Sequence, residues 1–215
     1  MVFGKIEYLN LLPFHVFMKR YTKSSQQNMS MHYKRGVPAD VNKKFISHRV
    51  DAAFISSVSA KRYAHVSLGI IAKKEVQSVL VIPSEKNVKD RESASSNALA
   101  NLLNVEGEVL IGDKALKYFL EKKPHIDLAH VWYEKYKLPF VFALLCFHKN
   151  EELYRDIEKK FLKTKVKIPH YILKQAAQRT SIKEVDILNY LNFITYKLDY
   201  RAKRGLKKFY QLSKV

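Results

Sequence analysis

Uncharged polar side chains stand at three points where a predicted strand gives way to a helix. Asn10 follows the first predicted strand, Ser56 and Ser57 follow the strand over 51–55, and a third group precedes the helix that begins near residue 96: Ser93, Ser95, Ser96 and Asn97. Hydroxyl groups and free backbone N–H groups at helix starts bind carboxylates well. The same residue types also cap helices without any ligand, so each turn alone has two interpretations. Three such turns facing one crevice favour a site for a small anion.

The motifs of the common enzyme classes are missing from the sequence. It has no glycine-rich phosphate loop, no dinucleotide fingerprint and no nucleophile elbow. The histidines are scattered without metal-ligand spacing, and His15 is the one nearest to a predicted turn. Cys146 is the only cysteine and lies in an apolar run, so we interpret it as a buried, inert thiol. We therefore do not expect a metal site.

The chain has 215 residues and a formal net charge of +19. The charge is uneven, because residues 1–84 and 151–215 each carry +9 whereas residues 85–150 carry +1. Nucleic-acid binding is one interpretation of such basic ends. Lysine outnumbers arginine 30 to 9, and no zinc-finger or aromatic RNA-binding motif is present. This composition favours a solvated lysine-rich surface, or a positive field that would attract an anionic substrate.

The N-terminal segment does not have the pattern of a secretory signal. Glu7, Asn10 and Pro13 interrupt the apolar run 6–18, and no small-residue cleavage site follows. No apolar run approaches the length that spans a bilayer. We therefore expect a cytoplasmic protein, a monomer or a homodimer, with no membrane partner.

Short apolar runs alternate with amphipathic stretches, a pattern typical of an α/β sheet. The expected strands cover residues 5–8, 29–34, 51–55, 66–72, 77–83, 108–111 and 138–147. The expected helices cover residues 13–21, 40–48, 58–64, 96–103, 114–121, 127–135, 151–163, 169–178, 182–197 and 200–212. The polar stretch 84–96 has no periodicity and is interpreted as a crossing between two lobes.

The predicted fold class is α/β, with two lobes, a short second lobe and a helical C-terminal region. Residues 1–84 and 145–215 form the expected first lobe, and residues 85–144 form a smaller inserted lobe. The crevice between two lobes is the natural place for a ligand. Its walls are expected at the carboxyl ends of strands and the N-terminal ends of the following helices.

A colinear series of short strings gives the sequence a family resemblance. They are GKIEYLNLLP (4–13), GVPAD (36–40), DAAFISSV (51–58), SVL (78–80), SASSNAL (93–99), LIGDKAL (110–116) and the segment 132–143. The ending also matches, at Tyr190, Tyr196 and residues 205–209. Over nearly the whole chain, these strings resemble the chorismate dehydratase family of menaquinone biosynthesis by the futalosine pathway.

The resemblance implies a type II periplasmic-binding-protein-like fold that serves inside the cell as an enzyme. It implies a hydro-lyase that removes water from chorismate to give 3-(1-carboxyvinyloxy)benzoate, the first step of the futalosine route. Chorismate is a dicarboxylate, so two of the anion-binding turns can each bind one carboxylate. The product is aromatic, which makes the elimination strongly downhill. The resemblance implies no cofactor and no metal.

The matched strings also imply site residues. Asn10 is the expected catalytic residue, which positions the substrate while the enolpyruvyl carboxylate of chorismate accepts the ring proton. The residues expected to bind substrate are Ser56, Ser57, Ser78, Ser95, Ser96, Asn97 and Asp113. Asp113 ends a predicted strand and either faces the crevice or caps the next helix. Trp132 and Phe140 are expected in the core.

The second lobe departs from the family pattern. The family usually has a further strand before the serine turn, whereas only polar residues 84–92 precede Ser93 here, so we expect an abbreviated lobe. Three other functions stay open. The chain could be a non-catalytic binder or sensor of a small carboxylate on the same fold. It could bind nucleic acid through the basic helices of 151–215, or it could act on a later cyclic futalosine intermediate of the same pathway.

Overall fold

Two β-sheets organise the chain in the computed structural model, which describes residues 1–24 and 31–213. The strands are β1 (Val2–Lys5), β2 (His32–Arg35), β3 (Ala52–Ser56), β4 (His65–Ala72), β5 (Val79–Ile82), β6 (Glu108–Ile111), β7 (Ile126–Asp127), β8 (Phe140–Phe147) and β9 (Ile194–Lys197). The larger sheet has the order β2-β1-β3-β8-β4-β9, and the smaller sheet has the order β6-β5-β7. Each sheet is the centre of one lobe.

Helices cover both sheets and account for most of the C-terminal third. They are α1 (Leu12–Ser24), α2 (Pro38–Ile46), α3 (Ser57–Ala60), α4 (Ala94–Leu103), α5 (Gly112–Leu120), α6 (Leu128–Tyr136), α7 (Glu151–Lys163), α8 (His170–Thr180), α9 (Glu184–Leu191) and α10 (Tyr200–Leu212). A 3-10 turn (Leu9–Leu11) joins β1 to α1. Helices α4, α5 and α6 pack on the smaller sheet, whereas α7 and α10 pack on the larger one. The predicted two-lobed α/β fold with a helical C-terminal region is confirmed.

The strand β8 is the centre of the larger sheet. It pairs antiparallel with β3 on one side and with β4 on the other, and all of its residues are buried. A continuous apolar run is what a strand covered on both faces needs. Phe140 packs against Trp132 and Phe209, with ring centroids 5.3 and 5.0 Å apart, so the predicted core positions are confirmed. Cys146 is buried, and burial raises the pKa of its thiol.

The division between the lobes differs from the predicted one. Strand β5 pairs with β6 and β7, so it belongs to the smaller sheet, although residues up to 84 were expected in the first lobe. Strand β8 lies wholly in the larger sheet. The chain therefore crosses between the sheets at 73–78 and 137–139. The polar stretch after β5 is a loop within the smaller lobe, because it leads from β5 to α4.

A single carboxylate fixes the first crossing. Asp127 caps α6 by accepting hydrogen bonds from the backbone N–H groups of Ala129 and His130, at 2.9 and 3.0 Å. The same carboxylate accepts bonds from the backbone N–H groups of Val76 and Gln77, at 2.9 and 2.7 Å. These N–H groups belong to the crossing, so the cap of one helix also sets where the chain enters the smaller lobe.

Several predicted elements have different bounds in the structure. The predicted helix 182–197 is wrong in its second half, because α9 ends at Leu191 and β9 pairs with the edge strand β4. Backbone pairing at a sheet edge and the β-forming residues of β9 outweigh the helical pattern there. The first strand lies three residues earlier than predicted. The predicted strand 29–34 begins outside the described residues, and β2 covers its end.

The last helix lies close to the second crossing. A Cβ atom added to Gly205 would collide with the carbonyl oxygen of Pro139, so only glycine lets α10 approach this segment. In the described part of the chain, no helix combines the length and the apolar character that spanning a membrane requires.

Candidate functional site

A small cavity lies between the two lobes. Its volume is about 60 Å³, and its lining residues come from both sheets and from the first crossing. Its polar lining consists of hydroxyl and amide groups, from Tyr8, Asn10, Ser56, Ser78, Ser93 and Ser96, and its described lining residues are uncharged. Ligand pockets usually measure about 300–1,000 Å³, so this cavity is small. The lobes contact each other beside it, through the bonds between Ser57 and Ser95 and between Tyr8 and Glu92, and we call this arrangement closed.

Asn10 lines this cavity and carries a side-chain acceptor that is not used within the described part of the protein. Its Oδ1 atom is buried and has no hydrogen-bond partner among the described residues. The backbone of the turn is held firmly, because the Tyr196 hydroxyl donates to the Asn10 carbonyl at 2.6 Å and the Leu9 N–H donates to Asp113 Oδ1 at 2.9 Å. A buried acceptor without a partner is costly in a folded protein. An unused acceptor at a rigid turn fits the predicted role of Asn10, which stays a prediction.

Ser56 also lines the cavity from the larger lobe and is held by another amide. The side chain of Asn42 donates to Ser56 Oγ at 3.1 Å and accepts from the Ser56 N–H at 3.2 Å. The Ser56 hydroxyl in turn donates to Ser59 Oγ at 3.3 Å. The turn between β3 and α3 is thus fixed before any ligand arrives. Sequence analysis did not single out Asn42, because nothing in its local pattern connects α2 to this turn.

The first turn of α4 forms the wall from the smaller lobe. The Ser93 hydroxyl donates to Ser96 Oγ at 2.8 Å, and Ser93 Oγ accepts the Ser96 N–H at 3.2 Å. Both residues line the cavity, and Ser96 is buried. Ser78, at the end of the first crossing, shares a hydrogen bond of 2.8 Å with the Tyr190 hydroxyl. The N-terminus of the ten-residue helix α4 and the hydroxyls of Ser78 and Ser96 therefore meet at one side of the cavity. This arrangement suits an anion.

Ser57 and Ser95 lie in the contact between the lobes. Their Oγ atoms are 2.9 Å apart, and the Val58 N–H also donates to Ser95 Oγ at 3.4 Å. Both serines are buried and neither lines the cavity. In this closed arrangement they hold one lobe to the other, and their contact with a ligand stays a prediction.

Asn97 and Asp113 also lie outside the cavity lining. The Asn97 side chain bonds the backbone N–H and carbonyl of Asp90, at 3.0 and 2.7 Å, which fixes the loop before α4. Asp113 accepts from Arg179 at 3.0 Å as well as from the turn that carries Asn10. Burial raises the pKa of the Asp113 carboxyl, against the lowering effect of these donors. Asp113 joins the smaller lobe to the larger one, and its predicted contact with substrate stays a prediction.

Tyr8 is a wall residue that sequence analysis did not select. Its hydroxyl donates to Glu92 of the smaller lobe, and burial raises the pKa of the phenol. Its ring lies against Gly112, which has a φ of +69° and where an added Cβ atom would come within 2.6 Å of the ring. Tyr8 and Gly112 stand in two of the matched strings, but their contact joins residues too far apart in sequence for any spacing rule to find.

The described residues offer no candidate metal centre. Within residues 1–24 and 31–213, no group of three or more His, Cys, Asp or Glu side chains is arranged to hold a metal ion. His15 is neutral at ordinary pH, because burial lowers its pKa to about 4, and its Nε2 lies 2.7 Å from the Ile6 carbonyl oxygen. It lines a different, larger groove beside α1.

Comparisons with known proteins agree with this geometry. Among solved structures, a protein of Archaeoglobus fulgidus is 15% identical, with a TM-score of 0.73, covering 99% of this chain and 96% of that one. A Candida albicans gene product described as having the generic periplasmic binding protein fold is 12% identical, with a TM-score of 0.60, covering 100% and 90%. These likenesses show the fold.

Comparison with known sequences identifies the family within this fold. A curated protein of Campylobacter jejuni, named chorismate dehydratase, is 45% identical over 100% of this chain and 98% of its own length. The sequence profile described as menaquinone biosynthesis matches residues 1–106 and 95–214. The chain therefore belongs to the menaquinone biosynthesis family.

Proposed function

We propose that the chain is a chorismate dehydratase, a hydro-lyase that converts chorismate to 3-(1-carboxyvinyloxy)benzoate and water. The full-length similarity to the Campylobacter enzyme supports this activity. The observation that supports placing this activity in the cavity between the lobes is the buried, unpartnered Oδ1 atom of Asn10.

The chemistry of chorismate matches that acceptor. Chorismate is a dianion at neutral pH, so its two carboxylates only accept hydrogen bonds. Its ring hydroxyl is its one O–H donor, and this hydroxyl is also the leaving group. Asn10 Oδ1 therefore binds the ring hydroxyl and orients the C–O bond that breaks. The side chain positions the reacting group and needs no ionisation of its own.

Neutral donors bind the carboxylates on the other side. Ser78 and Ser96 supply hydroxyls, and Ser93 orients the Ser96 hydroxyl by donating to its oxygen. The N-terminus of α4 supplies the positive end of a helix dipole. Loss of the ring proton sends electron density through the diene toward the ring carboxylate. Donors fixed around that carboxylate stabilise this charge as it develops. Ser56 shapes the wall from the larger lobe, while Ser57, Ser95, Asn97 and Asp113 hold the lobes and loops that surround the substrate.

The elimination balances without any external reagent. The enolpyruvyl carboxylate of the substrate takes the proton from the ring carbon that bears the ether oxygen. The electron pair of that C–H bond becomes the third double bond of the ring, and the neighbouring hydroxyl departs. The proton then passes to the departing oxygen, so the products are the benzoate and one water. No net oxidation occurs, and the reaction needs neither a metal nor a redox cofactor.

We also propose that the enzyme works in the cytoplasm. Nucleic acid is not among the partners that this function requires, and a monomer or homodimer stays the predicted assembly.

The direct test incubates the purified protein with chorismate and follows the products by liquid chromatography and mass spectrometry. We expect a substituted benzoate that is lighter than chorismate by one water. Chorismate that decays only at its spontaneous rate would contradict the proposal. In that case thermal stabilisation by chorismate would identify a non-catalytic binder of the same ligand.

A further inference from the structure

A larger groove lies on the other side of Tyr8. It has a volume of about 550 Å³ and lies between β1, β2, α1 and α8. Five of its lining side chains are cationic and one is a carboxylate: Lys5, Lys19, Lys23, Arg35, Arg179 and Glu7. We call these six residues and the space between them the basic groove.

The acid groups near the basic groove do not balance its charge. Glu7 is shared by Lys5 and Arg35, at 3.2 and 3.4 Å, and Arg179 is paired with Asp113 at 3.0 Å, so two carboxylates face three of the five cations. Lys19 contacts a neutral group, because its Nζ atom lies 3.4 Å from the Tyr171 hydroxyl and 5.6 Å from the centre of that ring. The groove therefore keeps a net positive charge and a positive local potential.

Tyr8 separates the basic groove from the cavity. It lines both spaces, and it is the residue that spans from the larger lobe to Glu92 and Gly112 of the smaller one. If the lobes part, the contacts of Tyr8 with Glu92 and Gly112 break together, because both partners lie in the smaller lobe. Opening of the lobes thus connects the cavity to the basic groove, on the side of the cavity that is next to the groove cations.

We infer that the basic groove is the entrance for the substrate, a small dianionic acid, and that Tyr8 closes the passage behind it. This inference rests on the proposed function. The cavity lining is uncharged, so it exerts little long-range attraction on a dianion. The groove supplies that attraction at the surface and concentrates the dianion beside the passage. Cationic clefts raise association rates by about 10- to 1,000-fold, and salt weakens the effect.

The test reverses charge in the groove without touching the cavity. Lys19→Glu with Lys23→Glu changes two exposed groove lysines on α1. The matched control is Lys203→Glu with Lys207→Glu, two exposed lysines on α10 with the same spacing and the same change in net charge. At low ionic strength we expect kcat/KM for chorismate to fall about tenfold in the groove variant and less than about twofold in the control. We expect kcat to stay within about twofold in both, and high salt to remove most of the difference.

Two further measurements keep the inference testable. If the variant with Lys19→Glu and Lys23→Glu does not fold, Lys19→Gln with Lys23→Gln replaces it. We expect kcat/KM for chorismate to fall about threefold in that variant. If the wild-type protein does not dehydrate chorismate, the proposed function fails, and calorimetric titration with isophthalate tests the groove instead. Weaker isophthalate binding in the groove variant alone supports a site for dianions there. Equal kcat/KM, or equal isophthalate affinity without turnover, in groove and control variants overturns the inference.

Discussion

The cavity between the lobes and the basic groove share one wall, Tyr8, yet they are built from different chemistry. The cavity holds hydroxyls and an amide that the fold fixes and buries, and its described lining is uncharged. The groove holds flexible, mostly exposed cations on the surface. The difference teaches that attracting an anionic substrate and stabilising its transition state require different kinds of groups. Exposed charge acts at a distance, whereas a transition state is stabilised by fixed dipoles that need no reorganisation.

The largest expected effect concerns the contact between Tyr8 and Gly112, at the boundary between the cavity and the groove. Gly112→Ala places a Cβ atom against the Tyr8 ring and forces alanine to a φ of +69°. Overpacking and left-handed backbone together cost about 4 kcal/mol. We expect the closed form to lose about this much stability, and kcat/KM for chorismate to fall more than about 100-fold with it. Chemical unfolding and steady-state kinetics measure the two effects.

Two controls show whether Gly112→Ala destabilises the protein through its clash with Tyr8 or through a general effect of replacing a glycine. Gly36→Ala meets its nearest neighbour at 3.2 Å without a positive φ, so we expect a cost below about 1 kcal/mol. Replacing Tyr8 by Ala removes the clash, so Gly112→Ala costs less in that background. An equal cost of Gly112→Ala with and without the Tyr8 ring would contradict the contact described here.

The floor of the groove contains a group whose titration affects stability. Burial lowers the pKa of His15 to about 4, whereas the unfolded value is 6.5. The unfolded chain therefore binds this proton first, and the stabilisation is complete above the unfolded pKa and lost as the pH falls through about 4. The contribution amounts to about 3 kcal/mol. Urea unfolding at about pH 7 and about pH 4 measures it.

His15→Gln isolates this contribution. Glutamine keeps a neutral N–H donor for the Ile6 carbonyl but does not titrate. We expect the variant to lose less stability than the wild type between the two pH values, by about the amount given above. The same pH dependence in both proteins would show that His15 is not the group responsible.

The smallest expected effect concerns one hydroxyl of the cavity. Ser96→Ala removes a buried donor from the wall that is proposed to hold a carboxylate. A hydrogen bond to a charged group contributes about 1.5–3 kcal/mol, so we expect kcat/KM to fall about 30-fold. Ser84→Ala changes an exposed serine and serves as the control. Identical kinetics in the two variants would remove Ser96 from the binding wall.

Local patterns predicted most of the elements because their residues carry the signals themselves. The apolar run of β8 and the serine that caps α4 are legible in the sequence, and the structure has both. The end of α9 is different, because β9 exists only by pairing with the edge of the larger sheet. No local signal reports such a distant partner.

The candidate site shows the same limit. The turns with Asn10, Ser56 and Ser96 were predicted together, and these three residues line one cavity. The partners that fix the turns were not predicted, because the bond from Asn42 to Ser56 and the bond from Tyr196 to Asn10 depend on tertiary structure. Sequence reasoning also assigned Ser57 and Ser95 to the ligand, whereas in the closed structure they bond to each other.

The measurement that tests the central claim most directly compares Asn10→Ala with Asn101→Ala. Asn10 carries the buried, unpartnered acceptor, and Asn101 is an exposed asparagine on α4 that makes the same substitution a control. With chorismate, we expect kcat to fall at least about 100-fold for Asn10→Ala, as for loss of a positioned polar group in other enzymes, and to stay unchanged for Asn101→Ala. Equal and full turnover in both variants, with both proteins folded, would contradict the assignment of the cavity as the site of dehydration.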